Sequence, residues 1–436
     1  MRAPFNQMVK NLERIASHAS AADRKFIGLS AGVNWRTPET SVVRLLKREL
    51  DLAMTSRNYG NAGGTPAVTR TLESLENHTH HCRGLAVTLV HGTTEGSSLA
   101  LDCWASSSVL QAGGKALMIG HAFPLYHRLS TDRKLDFHEC LGDEANSHSF
   151  LPSELAITES LEQLKPKVIF LLLPNNPLGE IINPASLARI VDYVRAHDAR
   201  LLVDRVCLMP WDAPKLVRDL LGPLVLEGRA AMSDSFSKSD SLAGLRMGYL
   251  VTSADMKAQI VEAIKSRFLN PPVFGSATLA LTRAASLGEQ RARRYLNVVQ
   301  AAHNRLYGEY PPAESFHDYL DEAAAGLRDI CLETAARKKE VHDNFQRLQD
   351  VFGNRVARSL RFDGGFNVAL ALDAMDAQRE ESDHIELAET HGVGVLTSSC
   401  FCQTPVGRKY FVRIGLTLPG QQFAEGLQRL NRFYHR

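Results

Sequence analysis

The feature that most constrains this chain is a repeated alternation of short, nearly continuous apolar runs with longer segments of helical periodicity. The runs are 85–90, 116–119, 168–173, 200–203 (closed by Asp204), 230–232 and 248–251. A strand with one wet face alternates polar and apolar residues, whereas a run that is apolar throughout has both faces covered. Such runs, spaced by helices, predict an α/β three-layer sandwich with a mostly parallel sheet. In sheets of this kind ligands collect beyond the carboxyl ends of the strands, so the polar residues that close each run become site candidates.

With 436 residues the chain is too long for one small core. A large domain is expected over 56–310 and a smaller α+β domain over 311–436, with segment 1–55 packing against the latter. From Leu279 to Val351 the texture changes to charged helical segments, interrupted at Pro311-Pro312. They read as a long interdomain helix with an insertion, or alternatively as a lid or pocket wall. Runs 366–372 and 410–416 then read as short strands of the smaller domain.

Charge narrows the function class. Fifty basic residues against 48 acidic ones leave a formal net charge of +2, with no basic stripe for nucleic acid or an anionic membrane. No apolar stretch reaches the length of a membrane span, and the first residues lack a secretory pattern. Seven cysteines without a regular interval argue against a disulfide framework. A cytoplasmic location is expected. His78, His80, His81 and Cys82 carry metal-ligating groups, but adjacent side chains rarely converge on one ion. They read as a solvated helix end with basic groups near its C-terminus, and no metal is expected.

The segment Ser233-Asp234-Ser235-Phe236-Ser237-Lys238 carries the most chemistry. A lysine just beyond a strand, among hydroxyls and held near an anion, can lose part of its basicity and form a Schiff base. Arg246, eight positions on, could fork onto a phosphate that Ser235 also contacts. Gly92-Thr93-Thr94 opens a helix after a strand, where backbone N–H groups favour an anion.

These strings, taken together, resemble the fold-type I, class I/II aminotransferase family, whose large domain is of the aspartate-aminotransferase type. The carriers are Ser-Phe-Ser-Lys followed by Leu242-Ala243-Gly244-Leu245-Arg246-Met247-Gly248-Tyr249, then Asn176-Pro177-Leu178-Gly179, Asp204, and Phe411-Val412-Arg413-Ile414. They span about residues 25 to 430. The resemblance implies pyridoxal 5′-phosphate bound to Lys238 as an internal aldimine, with Asp204 on the pyridine nitrogen and Asn176 on the phenolic O3′. It also implies Thr93, Thr94, Ser235 and Arg246 on the phosphate, Phe123 stacked on the ring, and Arg413 with Asn176 on the α-carboxylate of an amino-acid substrate. Tyr59 would reach the phosphate of a neighbouring subunit, implying a homodimer.

One position departs from the family. A tyrosine that bonds O3′ is expected near the third residue after the aspartate, and here Asp204-Arg205-Val206-Cys207 places Cys207 there. A thiol is a weak donor. The expected reaction is therefore transamination of an α-amino acid, with a lyase, cyclase or oxidase using the same Cα carbanion as the alternative. A non-enzymatic, cofactor-binding regulator is the third reading, disfavoured because little chain precedes Phe26 for a DNA-binding module. Segment Ser30 to Trp35 is expected to border the substrate side chain.

Overall fold

The structure, a computed structural model, describes residues 4–20, 26–30, 32, 34, 36–55, 60–143, 146–212, 218–271, 274–306, 313–403 and 407–435. Tyr59, Trp35 and Pro311-Pro312 lie outside the described residues. Twelve strands are described: β1 Ile27–Gly28, β2 Ala86–Val90, β3 Lys115–Ile119, β4 Asp136–Cys140, β5 Val168–Leu172, β6 Arg200–Asp204, β7 Ala230–Ser235, β8 Gly248–Thr252, β9 Asn367–Leu370, β10 Val393–Gly394, β11 Leu396–Thr397 and β12 Val412–Gly415.

A seven-stranded sheet runs in the order β2-β8-β7-β6-β5-β3-β4. β3 pairs in parallel with both β4 and β5, while β8 is antiparallel to β2 and β7. Each of the six apolar runs is a strand of this sheet, and β2, β5, β7 and β8 are buried at every position. The mostly parallel α/β sheet expected from continuous apolarity is therefore present. β4 carried no such signal: Asp136-Phe137-His138-Glu139-Cys140 is a polar edge strand whose exposure falls only at its end, as unpaired edges require.

The chain divides into two compact units. The first comprises Met1–Arg36, Leu110–Leu201 and Lys339–Arg436, and the second Thr37–Val109 and Leu202–Lys338. Besides β3, β4 and β5, the first unit holds the antiparallel sheet β11-β12-β9 and the parallel pair β1-β10. Two of its helices begin on conventional caps. Ser153 accepts from the N–H of Ala156 at 3.2 Å and Asn183 from Ser186 at 2.8 Å, with Pro184 in the first turn. Caps of this kind each contribute about 1 kcal/mol.

The second unit packs the helices Pro66–Thr79, Thr93–Ser106 and Ala254–Phe268 with β2, β7 and β8. The charged region after Leu279 is helical, as its spacing predicts: Ser276–Ser286, Glu289–Leu306 and the 40-residue helix Ala313–Phe352.

Candidate active site

In the second unit, the turn between β2 and the helix Thr93–Ser106 is built around Gly92, the helix's N-cap residue. Gly92 has φ +85°, a conformation that L side chains rarely adopt, and a Cβ there would stand 3.2 Å from Arg246 Nη2. The turn therefore offers helix N–H groups, the hydroxyls of buried Thr93 and exposed Thr94, and an exposed guanidinium at close quarters. Glu95 in the first turn accepts the backbone N–H of His91 at 2.6 Å, which ties the entry to the helix. N–H groups, hydroxyls and an arginine form a donor-rich set, the chemistry a phosphate group requires.

Lys238 sits on a single helical turn, Phe236–Ser239, that continues directly from β7. Ser235 caps it: its Oγ accepts the N–H of Ser237 at 3.1 Å and donates to the carbonyl of Met247 at 3.0 Å. Lys238 itself is half-buried, between buried Ser237 and buried Ser239. Asp204 closes β6 and is buried, its Oδ1 accepting the N–H of Val206 at 2.7 Å. Cys207 is buried in the turn that follows.

Beneath this turn lies a set of buried charges that the sequence did not announce. Arg205, 3% exposed, forks onto Glu76 at 2.8 and 2.9 Å and reaches Asp234 at 3.3 Å. Arg283 meets the other oxygen of Asp234 at 3.2 Å. Tyr249 Oη lies 2.8 Å from Glu76 and 3.1 Å from Asp234, donating to one carboxylate at a time. Burial alone would raise the Glu76 carboxyl, but Arg205 and His80 outweigh it and hold Glu76 well below the usual range. Burial pushes Asp234 up against the pull of Arg283 and Arg205, and burial with the two carboxylates pushes the Tyr249 hydroxyl up. Glu76 and Arg283 escaped the sequence reading because they lie on helices remote from the motif. Only the charged residue next to Asp204 hinted at buried partners.

The histidine cluster resolves differently from its sequence reading. His78 meets Arg291, His81 meets Asp219 at 3.4 Å, and His80 turns inward to within 3.5 Å of Glu76. His80 is buried rather than solvated, because a position four residues after the inward-facing Glu76 shares its helix face.

In the first unit, Asn176 and Arg413 come together. Arg413 is 3% exposed and lies on β12. It donates from Nη1 to Asn176 Oδ1 at 3.0 Å, from Nη2 to the carbonyl of Ser30 at 2.7 Å and from Nε to Ser30 Oγ at 3.3 Å. Its guanidinium carbon lies 5.1 Å from the centre of the Phe401 ring. The turn that carries Asn176 explains its glycine: Gly179 has φ +72°, and a Cβ would fall 1.9 Å from the carbonyl oxygen of Asn367. Buried Glu180 supports the same turn, accepting from Phe150 N–H at 2.8 Å and from the Ser149 hydroxyl. Phe123, just beyond β3, is 41% exposed, enough to offer a ring to a ligand. Of the Ser30–Trp35 segment, Ser30 and Asn34 are described and buried. Tyr59, expected to mark a subunit boundary, lies outside the described residues.

An open α/β sheet with a donor-lined helix N-terminus and a lysine on the turn after a strand defines a class: enzymes that anchor an anionic group and present an amine beside it. The sequence pattern of the family "Aminotransferase class I and II" matches residues 24–310, and the chain belongs to that family.

Among curated relatives, histidinol-phosphate aminotransferase 1 of Carboxydothermus hydrogenoformans is 26% identical over 212 residues, 48% of this chain and 55% of that protein. The aromatic amino acid aminotransferase of Mycolicibacterium vanbaalenii is 32% identical over 96 residues, 22% of this chain and 27% of that protein. The chain thus matches about half the length of the first relative or less.

The fold extends further. An aminotransferase from Mycobacterium tuberculosis has the same architecture, with TM-score 0.71 and 21% identity over 99% of this chain and 97% of the other. Aspartate aminotransferase from Thermotoga maritima gives 0.69 at 18% identity, covering 99% and 97%. Among the described residues no helix is long and apolar enough to cross a membrane, and no group of three or more histidines, cysteines, aspartates and glutamates could hold a metal ion.

Proposed function

We propose that this chain is a pyridoxal-phosphate-dependent aminotransferase acting on an α-amino acid. The observation that carries the reading is the donor-rich cradle at Gly92, with Arg246 at its edge, in the same unit as the Lys238 turn and Asp204. That donor set fits a phosphate monoester, and Asp204 is a buried acceptor suited to a protonated ring nitrogen. The aminotransferase names of the relatives favour amino transfer over elimination, cyclisation or oxidation.

In this reading Lys238 attaches the cofactor through Nζ. Thr93, Thr94, Ser235 and Arg246 hold the phosphate, Phe123 covers the ring, and Asp204 keeps the proton on the pyridine nitrogen. When bound, pyridoxal phosphate supplies an electron sink that stabilises negative charge at the substrate's Cα. Arg413 holds the α-carboxylate in a planar, two-pronged contact, while Asn176, which accepts from Arg413, keeps that fork aimed. Once the substrate's own amine has taken its place on the cofactor, Lys238 Nζ would be free to take the proton from Cα as general base and to deliver it to the cofactor's C4′ as general acid. Cys207 stands where the family's tyrosine bonds O3′; a thiol donates weakly, so Asn176 carries more of that contact.

A homodimer completed by Tyr59 and a cytoplasmic location belong to the same proposal. All seven cysteines are free thiols, in keeping with a reducing compartment. The test is a panel of amino acids offered with and without a 2-oxo acid acceptor. Amino transfer that depends on the acceptor, and that vanishes in Lys238→Ala, is expected. Ammonia release without acceptor would contradict amino transfer, and undiminished turnover by Lys238→Ala would sink the assignment of the lysine.

A further inference from the structure

Four charges buried behind the Lys238 turn have no part in the chemistry above. We propose that Arg283 and Arg205 are positioning residues: with Asp234 and Glu76 they form a clamp that fixes the Lys238 turn relative to Asp204. The inference deepens the functional reading and rests on it for the role of Lys238; the clamp itself is independent of that role.

The contacts bracket the lysine on both sides. Arg283 Nη2 reaches Asp234 Oδ1 at 3.2 Å and the Ser235 carbonyl at 3.5 Å, before the lysine, and Ser239 Oγ at 3.2 Å, just after it. Arg337, itself buried, adds the carbonyl of Ser239 at 3.0 Å. The Phe236 ring lies under the guanidinium of Arg283, 5.2 Å away, and leaves it little room to shift. On the other side, Arg205 follows Asp204 directly. Its backbone N–H donates to the carbonyl of Ser233 at 2.8 Å, and its guanidinium spans Glu76 and Asp234. Asp234 is thus shared: one oxygen faces the arginine that holds the lysine turn, the other the arginine adjoining Asp204.

Within the clamp, two guanidiniums face two carboxylates. Apolar residues of similar volume could fill such a space with equal or greater stability. What an ion network adds is directional: each fork accepts only one arrangement of its oxygens, so the ends of β6 and β7 cannot slide independently. A single helical turn has little rigidity of its own, and Lys238 sits on one. The bracket around it supplies what the turn lacks.

The test is amide hydrogen exchange of the cofactor-free protein, comparing wild type with Arg283→Gln, Arg283→Lys and Ser239→Ala. In Arg283→Gln, amides of 235–241 are expected to exchange about tenfold faster or more, while those of 168–172 keep their rate. Arg283→Lys should fall between, because the shorter side chain keeps the charge but loses the reach to all three oxygens and the planar guanidinium over the Phe236 ring. Ser239→Ala removes one acceptor without disturbing charge and should speed the same segment about threefold, which keeps the test alive if Arg283→Gln does not fold. Wild-type exchange in 235–241, or acceleration shared equally by 168–172, would overturn the clamp.

A second readout follows the absorbance of the pyridoxal-phosphate-loaded protein against pH. Arg283→Lys should move its midpoint by about half a pH unit or more, since the lysine's distance from the cofactor's charges changes. A midpoint identical to wild type, in a variant whose 235–241 amides have loosened, would equally overturn the proposal. Failure of the functional reading is separate: it appears as an absorbance band that survives Lys238→Ala, whatever the exchange rates.

Discussion

Arginine is used in two ways in the two units. In the second, Arg205 and Arg283 face carboxylates at 2.8 to 3.3 Å, so their charge is matched inside the protein and their work is structural. In the first, Arg413 is as deeply buried but rests on neutral oxygens, those of Ser30 and Asn176, and on the face of Phe401. Contacts of that kind set the direction of the fork. An arginine matched to carboxylates resists change because its partners would be stranded. One aimed by neutral groups tolerates change in the fold but not in ligand affinity.

Mutations can break this contrast. The largest effect is expected for Arg205→Met, which leaves Glu76 and part of Asp234 without a counter-charge; the loss should be about 3–5 kcal/mol in urea unfolding. Glu76→Gln combined with Arg205→Met should recover much of it, and a double variant as unstable as the single one would show that the charges are not paired energetically. Gly179→Ala comes next. The crowding against the Asn367 carbonyl and the positive φ should cost about 2–3 kcal/mol, and unfolding at wild-type denaturant concentration would contradict it.

Arg413→Lys should leave stability within about 1 kcal/mol while raising KM for the amino acid about ten- to hundredfold, since an ammonium cannot reproduce the bidentate fork. An unchanged KM would remove Arg413 from substrate binding.

The smallest effect sharpens the picture through pH. His121 is fully buried, edge-on to Phe411, and both ring nitrogens lack a hydrogen-bond partner among the described residues. Burial, aided by Arg358, lowers its pKa from 6.5 to about 3. The unfolded chain therefore binds a proton that the folded one refuses. The stability contributed by the neutral ring is present above about pH 6.5 and is lost as pH falls toward 3, by up to about 1.4 kcal/mol per unit. Glu76 has the same sign at lower pH, below the ordinary carboxylate range, because its folded pKa is depressed. His121→Phe should flatten the slope between pH 6.5 and 5 and gain about 1 kcal/mol at pH 7 by removing unsatisfied polar atoms. Parallel stability curves for the two proteins would contradict this.

The strands were legible where burial was symmetric. β5 reads as Val168-Ile169-Phe170-Leu171-Leu172, whereas β4, polar along an edge, and two-residue strands such as β10 leave no periodic signal. Of the proposed site residues, Lys238, Asp204 and Asn176 stand at or just beyond strand ends and Arg413 lies within β12, all inside motifs that stand out in the sequence. What supports those residues does not stand out. Arg283 reaches the Lys238 turn, and Glu76 reaches Arg205, from helices far along the chain, and nothing local distinguishes a glutamate that will be buried from one that will face water. Arg205, the neighbour of Asp204 in the chain, is the end of that network nearest the motif.

Everything proposed for the site depends on Lys238 bearing the cofactor. The most direct measurement is borohydride reduction of the pyridoxal-phosphate-loaded protein followed by peptide mapping. One stoichiometric phosphopyridoxyl label is expected on the peptide containing Ser237-Lys238-Ser239. A label on another lysine, or none at saturating pyridoxal phosphate, would contradict it.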